Sequence, residues 1–226
     1  MKKFIQQALI LCGGKGERLK PITNSIPKPL VKINGKPLLG YQINYLVKRG
    51  INKFVIATGF KSKLIIDYIN HNYSHLEIDI VDSGDVDIMK RIYDCMMYLD
   101  EEFLLCYGDT LADIDIQNIY NFHKNHNGKV TVSTYQLTSQ FGIIKTDEND
   151  LVVEFLEKPK LDAWINIGYF IFDKSIITNS SNNFANFISK LALSRHLFSY
   201  KHNGFHLTVN TINELKDAEL NIRNFK

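Results

Sequence analysis

Long apolar runs are missing from this chain. None approaches the roughly 18–20 residues that a membrane-spanning helix needs, so a membrane is not an expected partner. An excess of one charge is missing too. The 226 residues carry 27 Lys and Arg against 24 Asp and Glu, a formal net charge of +3. The lysines are scattered between acids, whereas nucleic-acid partners are usually met by clustered base, so no nucleic acid is expected either. Cysteine is scarce. Cys12, Cys95 and Cys106 are odd in number and not at metal-ligand spacing, which argues against a disulfide framework and against a zinc site. Cys12 and Cys106 sit in apolar runs and read as buried thiols, and a reducing cytoplasm is the compartment this usage fits. There is no linker, repeat or low-complexity tract, and the expectation is one domain over 1–226. The opening MKKFIQQALILCGG has a positive tip and a short apolar stretch. It runs into glycines without a small-residue cleavage pattern, so it reads as a first strand and not as a signal peptide.

What is present is alternation. With 45% hydrophobic and 23% charged residues the composition is ordinary for a globular domain. Residues 8–12, 53–58, 76–81 and 102–109 read as strands. Helical spacing separates them: Leu39, Ile43, Leu46 and Val47 within 38–48, Leu64, Ile65, Tyr68 and Ile69 within 61–71, and Ile88, Ile92, Cys95 and Met96 within 88–98. The second half changes style. A helix is expected over 113–126, then strands at 129–137, 141–146, 151–158 and 164–172. An Asn/Ser-rich stretch follows residue 173. Further elements are a helix near 184–193, strands near 196–201 and 205–209, and a helix from 212. The pattern predicts the α/β class, a Rossmann-like, mostly parallel mixed sheet with helices on both faces.

The segment GGKGERLKPIT, residues 13–23, follows the first strand directly. Gly13, Gly14 and Gly16 let the backbone turn tightly and bring N–H groups to an anion, and Arg18 adds a planar cation suited to phosphate. No G-K-[ST] completes a Walker A loop, and Pro21 and Pro27 break the helix that a dinucleotide fingerprint requires. IPKPLVKINGKPLL, residues 26–39, comes within a few residues. Together LILCGGKGERLKPIT and IPKPLVKINGKPLL resemble the sugar-1-phosphate nucleotidylyltransferase family. The resemblance implies the fold of nucleotide-diphospho-sugar transferases. It also implies that Arg18 and Lys28 hold a triphosphate and stabilise the attacked α-phosphate, with Leu11, Gly13, Gly14 and Gly16 in the nucleotide-binding loop.

In YGDTLADIDI, residues 107–116, Asp109 stands at the carboxyl end of a buried strand. Open α/β sheets bind ligands at that edge, and an acid there suits Mg²⁺. The resemblance makes Asp109 a magnesium ligand. Asp113 and Asp115 read as acids capping a helix N-terminus. The family's second metal aspartate falls on Asn210. Two readings stay open there: an uncharged metal ligand, or an N-cap of the last helix.

The series DSGDVDIMKRI, YGDTLADIDI, FGIIKT, EFLEKP and WINIGYFIF is most similar to the glucose-1-phosphate cytidylyltransferase branch. That similarity implies CTP as donor, Asp82, Gly84 and Arg91 at the nucleotide, and Glu157, Lys158, Asn166 and Gly168 at the acceptor phosphate and its neighbourhood. Gln140, where the branch has an arginine, and Ile167, where it has a glycine, depart from it. They point to an acceptor other than glucose 1-phosphate: another sugar phosphate, or a non-sugar phosphate such as phosphocholine or phosphoglutamine. Two other classes remain. One is a non-catalytic nucleotide-binding regulator, favoured by Asn210. The other is a glycosyltransferase using a nucleotide sugar, suggested by the acid-x-acid pattern at 113–115. His123 and His126 read as an exposed helix end and not as a metal pair. A homo-oligomer is compatible with the sequence.

Overall fold

A computed structural model describes residues 4–178 and 183–225. Part of the Asn/Ser-rich stretch, 179–182, lies outside the described residues. In chain order the elements are β1 (Gln7–Leu11), a short ribbon of β2 (Lys32–Ile33) and β3 (Lys36–Pro37), α1 (Leu38–Lys48), β4 (Lys53–Thr58), α2 (Ser62–Asn72), β5 (Glu77–Asp82), α3 (Ile88–Asp94) and β6 (Glu102–Tyr107). Then come β7 (Thr110–Ala112), α4 (Ile116–Lys124), β8 (Val130–Thr138), β9 (Ile143–Thr146), β10 (Val152–Leu156), β11 (Lys160–Asp173), α5 (Phe184–Leu193), β12 (Leu197–His202), β13 (His206–Thr208) and α6 (Ile212–Asn221).

Seven strands form one sheet in the order β12-β8-β11-β6-β1-β4-β5. β1 lies parallel to β4 and β6, β5 parallel to β4, and β12 parallel to β8. Only β11 runs against its neighbours, β6 and β8. This is the expected mostly parallel mixed sheet. The central strands have no polar face because both faces are covered. Ala8, Ile10, Phe54, Ile56, Leu104 and Cys106 pack on one side with Leu39 and Ile43 of α1, Ile65 of α2 and Ile119 of α4. The intervening Leu9, Val55, Ala57, Phe103 and Leu105 pack on the other side with Met89 and Ile92 of α3 and Phe187 of α5. The strand period of two therefore sorts neighbouring residues into two separate cores.

A third, smaller cluster positions the site. Leu19, Val31 and Ile33 from the segment after β1, Leu111 from β7, Val209 after β13, and Ala218 and Ile222 from the C-terminal end pack together. The antiparallel β7–β13 pairing sets Thr110 opposite Thr208. Through this cluster and this ribbon the last elements of the chain are docked against the first loop.

Several expectations are corrected in detail. The helix expected over 88–98 ends at Asp94 and continues as a single tight turn, Met96–Tyr98. The strand expected over 102–109 ends at Tyr107, which leaves Asp109 in the turn before β7. The helix expected from 113 begins at Ile116. Val47, Leu64 and Ile88, read as inward, are exposed, because the apolar stripe of each helix is narrower than drawn. β9 and β10 stand off the main sheet as an arm of two strands. No helix among the described residues is long and apolar enough to cross a membrane.

Candidate active site

The chain leaves β1 at Leu11 and turns through the glycines. Gly16 adopts a left-handed conformation, φ 65°, and heads a short helical turn, Glu17–Leu19. The buried Leu19 anchors this turn in the third cluster. Gly13 is needed for a different reason. A β-carbon there would lie 2.0 Å from Cζ of Arg91 and 2.2 Å from its Nη1, so the guanidinium lies directly on the loop backbone. Arg91 is buried. It donates through Nη1 to the Thr58 carbonyl and through Nη2 to the carbonyls of Gly84 (2.9 Å) and Val86 (3.2 Å). It thus clamps the end of β4 to the loop after β5 and forms part of a cavity wall. Asp82 is the last residue of β5, and Gly84 belongs to that loop. Asp82 is exposed and accepts from the Gly84 N–H at 3.1 Å, an internal turn contact.

Opposite the glycines, the cations and the acid converge. Lys28 follows Pro27 in a short turn and is 8% exposed. Its Nζ donates to Asp109 Oδ2 at 2.5 Å and to Asn210 Oδ1 at 2.7 Å. Arg18 Nη2 donates to the same Asn210 oxygen at 3.0 Å. Four residues from three distant parts of the sequence therefore share one cluster. Asn210 is not the cap of the last helix, so the N-cap reading of its side chain is corrected. Thr211 is the N-cap, in a reciprocal capping box with Glu214. Asp113 is corrected as well. Of the two acids only Asp115 caps α4, accepting from the Asn118 N–H. Asp113 accepts from the Phe205 N–H at 2.6 Å and pairs with His202 at 3.1 Å. The two acids of the 113–115 pattern thus serve different partners and form no pair.

A cavity of about 220 Å³ lies beside this cluster, lined by Gly13, Gly14, Lys28, Arg91 and Asp109, with Leu11 at its side; Gly16, Arg18 and Asn210 do not line it. Tyr107, Gly108 and Cys12 also line it. The Y-G-D triplet was the signal for the first two. Burial, reinforced by the Asp109 charge, pushes the Cys12 thiol well above its ordinary range, so it is a neutral thiol and not a nucleophile. A second, broader cavity of about 710 Å³ is lined by Tyr135, Gln140, His206, Thr208, Asn210 and Glu214. Asn210 thus borders it as well as meeting the cation cluster.

The residues expected at the acceptor are less gathered. Asn166 is exposed; its Oδ1 accepts from the Gly168 N–H at 2.8 Å and its Nδ2 lies 3.5 Å from the Tyr107 hydroxyl. Gly168 has φ 75°, and a β-carbon there would meet the Tyr107 ring at 2.6 Å. These two residues therefore reach the first cavity through Tyr107. Glu157 and Lys158 are exposed in the connection from β10 to β11, with Lys158 at φ 46°. Neither lines either cavity. Ile167 is buried in the main core and takes no space from a cleft.

His123 and His126 are corrected in one respect. His123 is buried, not exposed. Both rings bond to the Thr131 hydroxyl, at 2.9 and 2.8 Å, and no group of three His, Cys, Asp or Glu among the described residues could hold a metal ion. Around Lys28 the side-chain oxygens are one carboxylate, Asp109, and one carboxamide, Asn210. Such a hard, sparse donor set fits Mg²⁺, which is commonly held by one or two protein oxygens and completed by nucleotide phosphates and water. The cation that these two oxygens share in the structure is the Lys28 ammonium.

The chain is similar to known proteins over most of its length. The profile of the family described as Nucleotidyl transferase matches residues 7–203. A probable glucose-1-phosphate cytidylyltransferase of Bacillus subtilis is 31% identical over 94% of each chain. A D-glycero-alpha-D-manno-heptose 1-phosphate guanylyltransferase of Campylobacter jejuni is 33% identical over 76% of this chain and 78% of its own. Among solved structures, a putative glucose-1-phosphate thymidylyltransferase of Bacillus anthracis superimposes with a TM-score of 0.78 at 18% identity, covering 97% of this chain and 96% of that one.

Proposed function

Because the chain belongs to the nucleotidyl transferase family, among the sugar-1-phosphate nucleotidylyltransferases, we propose that it transfers CMP from CTP to a small phosphorylated acceptor and releases pyrophosphate. The observation that carries this reading is the meeting of Arg18, Lys28, Asp109 and Asn210 beside the glycine-rich turn.

The reaction is an in-line displacement. An oxygen of the acceptor phosphate attacks the α-phosphorus, and the bond from that phosphorus to the bridging oxygen breaks, with its electron pair leaving on pyrophosphate. The attacking oxygen is already ionised at neutral pH, so no general base is required, and positioning with electrostatics carries the rate. Arg18 and Lys28 turn their donors from Asn210 to the phosphate oxygens and oppose the charge that builds there. Backbone N–H groups of the 13–16 turn add anion donors, and Arg91 holds the wall against which the nucleotide lies. Asp109 and Asn210 are the groups that would hold a magnesium ion; when bound it neutralises phosphate charge and orients the polyphosphate. Asn166 and Gly168, and beyond them Glu157 and Lys158 on the arm, are assigned to the acceptor side. Gln140, with no charge where the cytidylyltransferase branch has an arginine, supports an acceptor other than glucose 1-phosphate.

The test is pyrophosphate release by purified protein with each of the four common NTPs and dTTP against sugar 1-phosphates, phosphocholine and phosphoglutamine. CTP with one non-glucose acceptor is the expected productive pair. Turnover with GTP or dTTP in preference to CTP overturns the base assignment, and efficient turnover of glucose 1-phosphate overturns the acceptor assignment. The uncharged Asn210 favours one other reading, a nucleotide-binding regulator; CTP binding without pyrophosphate release across the whole panel would establish it.

A further inference from the structure

Beneath the turn that carries Asp109 lies a side chain that the proposed chemistry does not use. Gln42, on α1, is 1% exposed. Its Nε2 donates to the carbonyls of Tyr107 (3.0 Å) and Thr110 (3.3 Å), on either side of Asp109. The hydroxyl of Tyr169, a fully buried residue of β11, also donates to the Thr110 carbonyl at 3.2 Å and lies 3.2 Å from Gln42 Nε2. One amide thus spans the turn from below and is braced by a phenol from the antiparallel strand. Above the turn, the Thr110 hydroxyl donates to Asp109 Oδ1 at 3.2 Å while Lys28 holds Oδ2.

Gln42 carries a cost. Its Oε1 is buried with no hydrogen-bond partner, and a buried amide oxygen left unpaired is destabilising. The neighbouring inward residues of α1, Leu39, Ile43 and Leu46, are apolar and pack in the main core. An apolar residue at position 42 would avoid the orphan oxygen but would leave the Tyr107 carbonyl without the Gln42 donor, and the Thr110 carbonyl with Tyr169 alone. What the amide supplies is a fixed relation between residues 107 and 110, and so a fixed direction for the carboxylate between them.

We propose that Gln42, braced by Tyr169, is a positioning residue that aims Asp109 at the divalent cation and so governs cation affinity in the nucleotide complex. This rests on the proposed function, because it takes Asp109 as the carboxylate that meets the cation.

The experiment compares wild type with Gln42→Met and Tyr169→Phe, which keep side-chain size and remove the donors. Free Mn²⁺ is titrated by electron paramagnetic resonance in the presence of CTP and without acceptor, alongside thermal unfolding of each protein. The Mn²⁺ dissociation constant of Gln42→Met should rise about tenfold, the low end of the effect of outer hydrogen-bond partners on metal sites. Tyr169→Phe should shift it in the same direction by less, and it alone decides the matter if Gln42→Met does not fold. In turnover, kcat at fixed metal should fall while the KM for the acceptor stays within about twofold of wild type, since only the metal side of the cleft is touched. Mn²⁺ affinity unchanged in the folded variants, with only the unfolding temperature lowered, overturns the positioning role and leaves the proposed function standing. A wild type that binds no Mn²⁺ with CTP overturns the metal reading, and this inference with it.

Discussion

Lys28 and Asn210 share a 2.7 Å hydrogen bond across 182 residues of chain. The Asn210 oxygen also receives Arg18 at 3.0 Å, so one uncharged acceptor gathers the two cations of the first loop. Asp109 is the carboxylate bonded to these cations, and it contacts Lys28 alone of the two, while the Glu214 carboxylate is taken up by the N–H groups of Asn210 and Thr211. Two positive groups therefore face one negative group. Such an imbalance suits a cleft that receives a polyanion, since the arriving phosphates supply the missing charge in a partly desolvated place.

Lys28→Met removes the ammonium and keeps most of the apolar stem. We expect kcat/KM for the nucleotide to fall by about 10²–10³-fold, the usual loss for one preorganised transition-state contact. Asp109 is 30% exposed, so water can replace the lost partner, and the unfolding temperature should move by no more than a few degrees. Steady-state kinetics beside a thermal melt separates the two effects. Full activity in the variant would remove Lys28 from the chemistry.

Asn210→Asp tests the uncharged acceptor. The substitution preserves shape and adds a second carboxylate oxygen beside Asp109. The half-saturating Mg²⁺ concentration for pyrophosphate release should drop by about tenfold, since ligand charge count is a main determinant of affinity for hard cations. An unchanged Mg²⁺ dependence would show that Asn210 serves Arg18 and Lys28 only.

The two adjacent glycines of the loop should behave differently. At Gly13 a β-carbon collides with the Arg91 guanidinium, whereas at Gly14 nothing lies within 4 Å. Gly13→Ala must displace Arg91 from the carbonyls of Thr58, Gly84 and Val86. The cost should be about 1–3 kcal/mol, as for other forced overpacking, together with weaker CTP binding. Gly14→Ala should change stability by less than about 0.5 kcal/mol. Chemical denaturation and calorimetric titration with CTP check both variants, and equal effects at the two positions would contradict the clamp.

The sheet was legible because its central strands are buried on both faces and stand out as unbroken apolar runs between helical patterns, as 8–11 and 103–106 do. Asp109 and Lys28 were legible because each follows a recognisable local pattern: an acid after a buried strand, and a lysine between two prolines. Partnerships set by tertiary packing were not. Asp113 reads as a helix cap until the end of β12 and the turn after it bring His202 and the Phe205 N–H to it. Arg91 reads as a residue at the nucleotide, but nothing in the sequence shows that its guanidinium also holds the Thr58 carbonyl, 33 residues away, and those of Gly84 and Val86 in the loop before α3. Gln42 gave no signal at all, since one polar residue on an apolar helix face looks like an ordinary interruption. His123, the eighth residue of a polar helix, reads as exposed because the wall that covers it, β8, lies beyond the helix end.

His123 carries the pH prediction. The ring is 4% exposed. Burial and then the neighbouring His126 lower its pKa to about 4, against an unfolded value of about 6.5. Between those two values the unfolded chain binds a proton that the folded chain refuses, so stability is fully present above the unfolded pKa and is lost as pH falls through the window toward the folded one. At pH 5 the loss from this one residue should be about 1–2 kcal/mol relative to pH 7. Glu102 works in the same direction at the acid end. Its carboxyl is partly buried, which raises the pKa, but hydrogen bonds from Lys124 and Tyr120 lower it overall. The comparison is urea unfolding at pH 7 and pH 5 for wild type and His123→Gln, which retains a hydrogen-bonding group for Thr131 but does not titrate. The variant should be less stable at pH 7 and show the shallower fall between the two pH values. An equal fall in both proteins would mean that other groups set the acid sensitivity and that the buried ring contributes nothing to it.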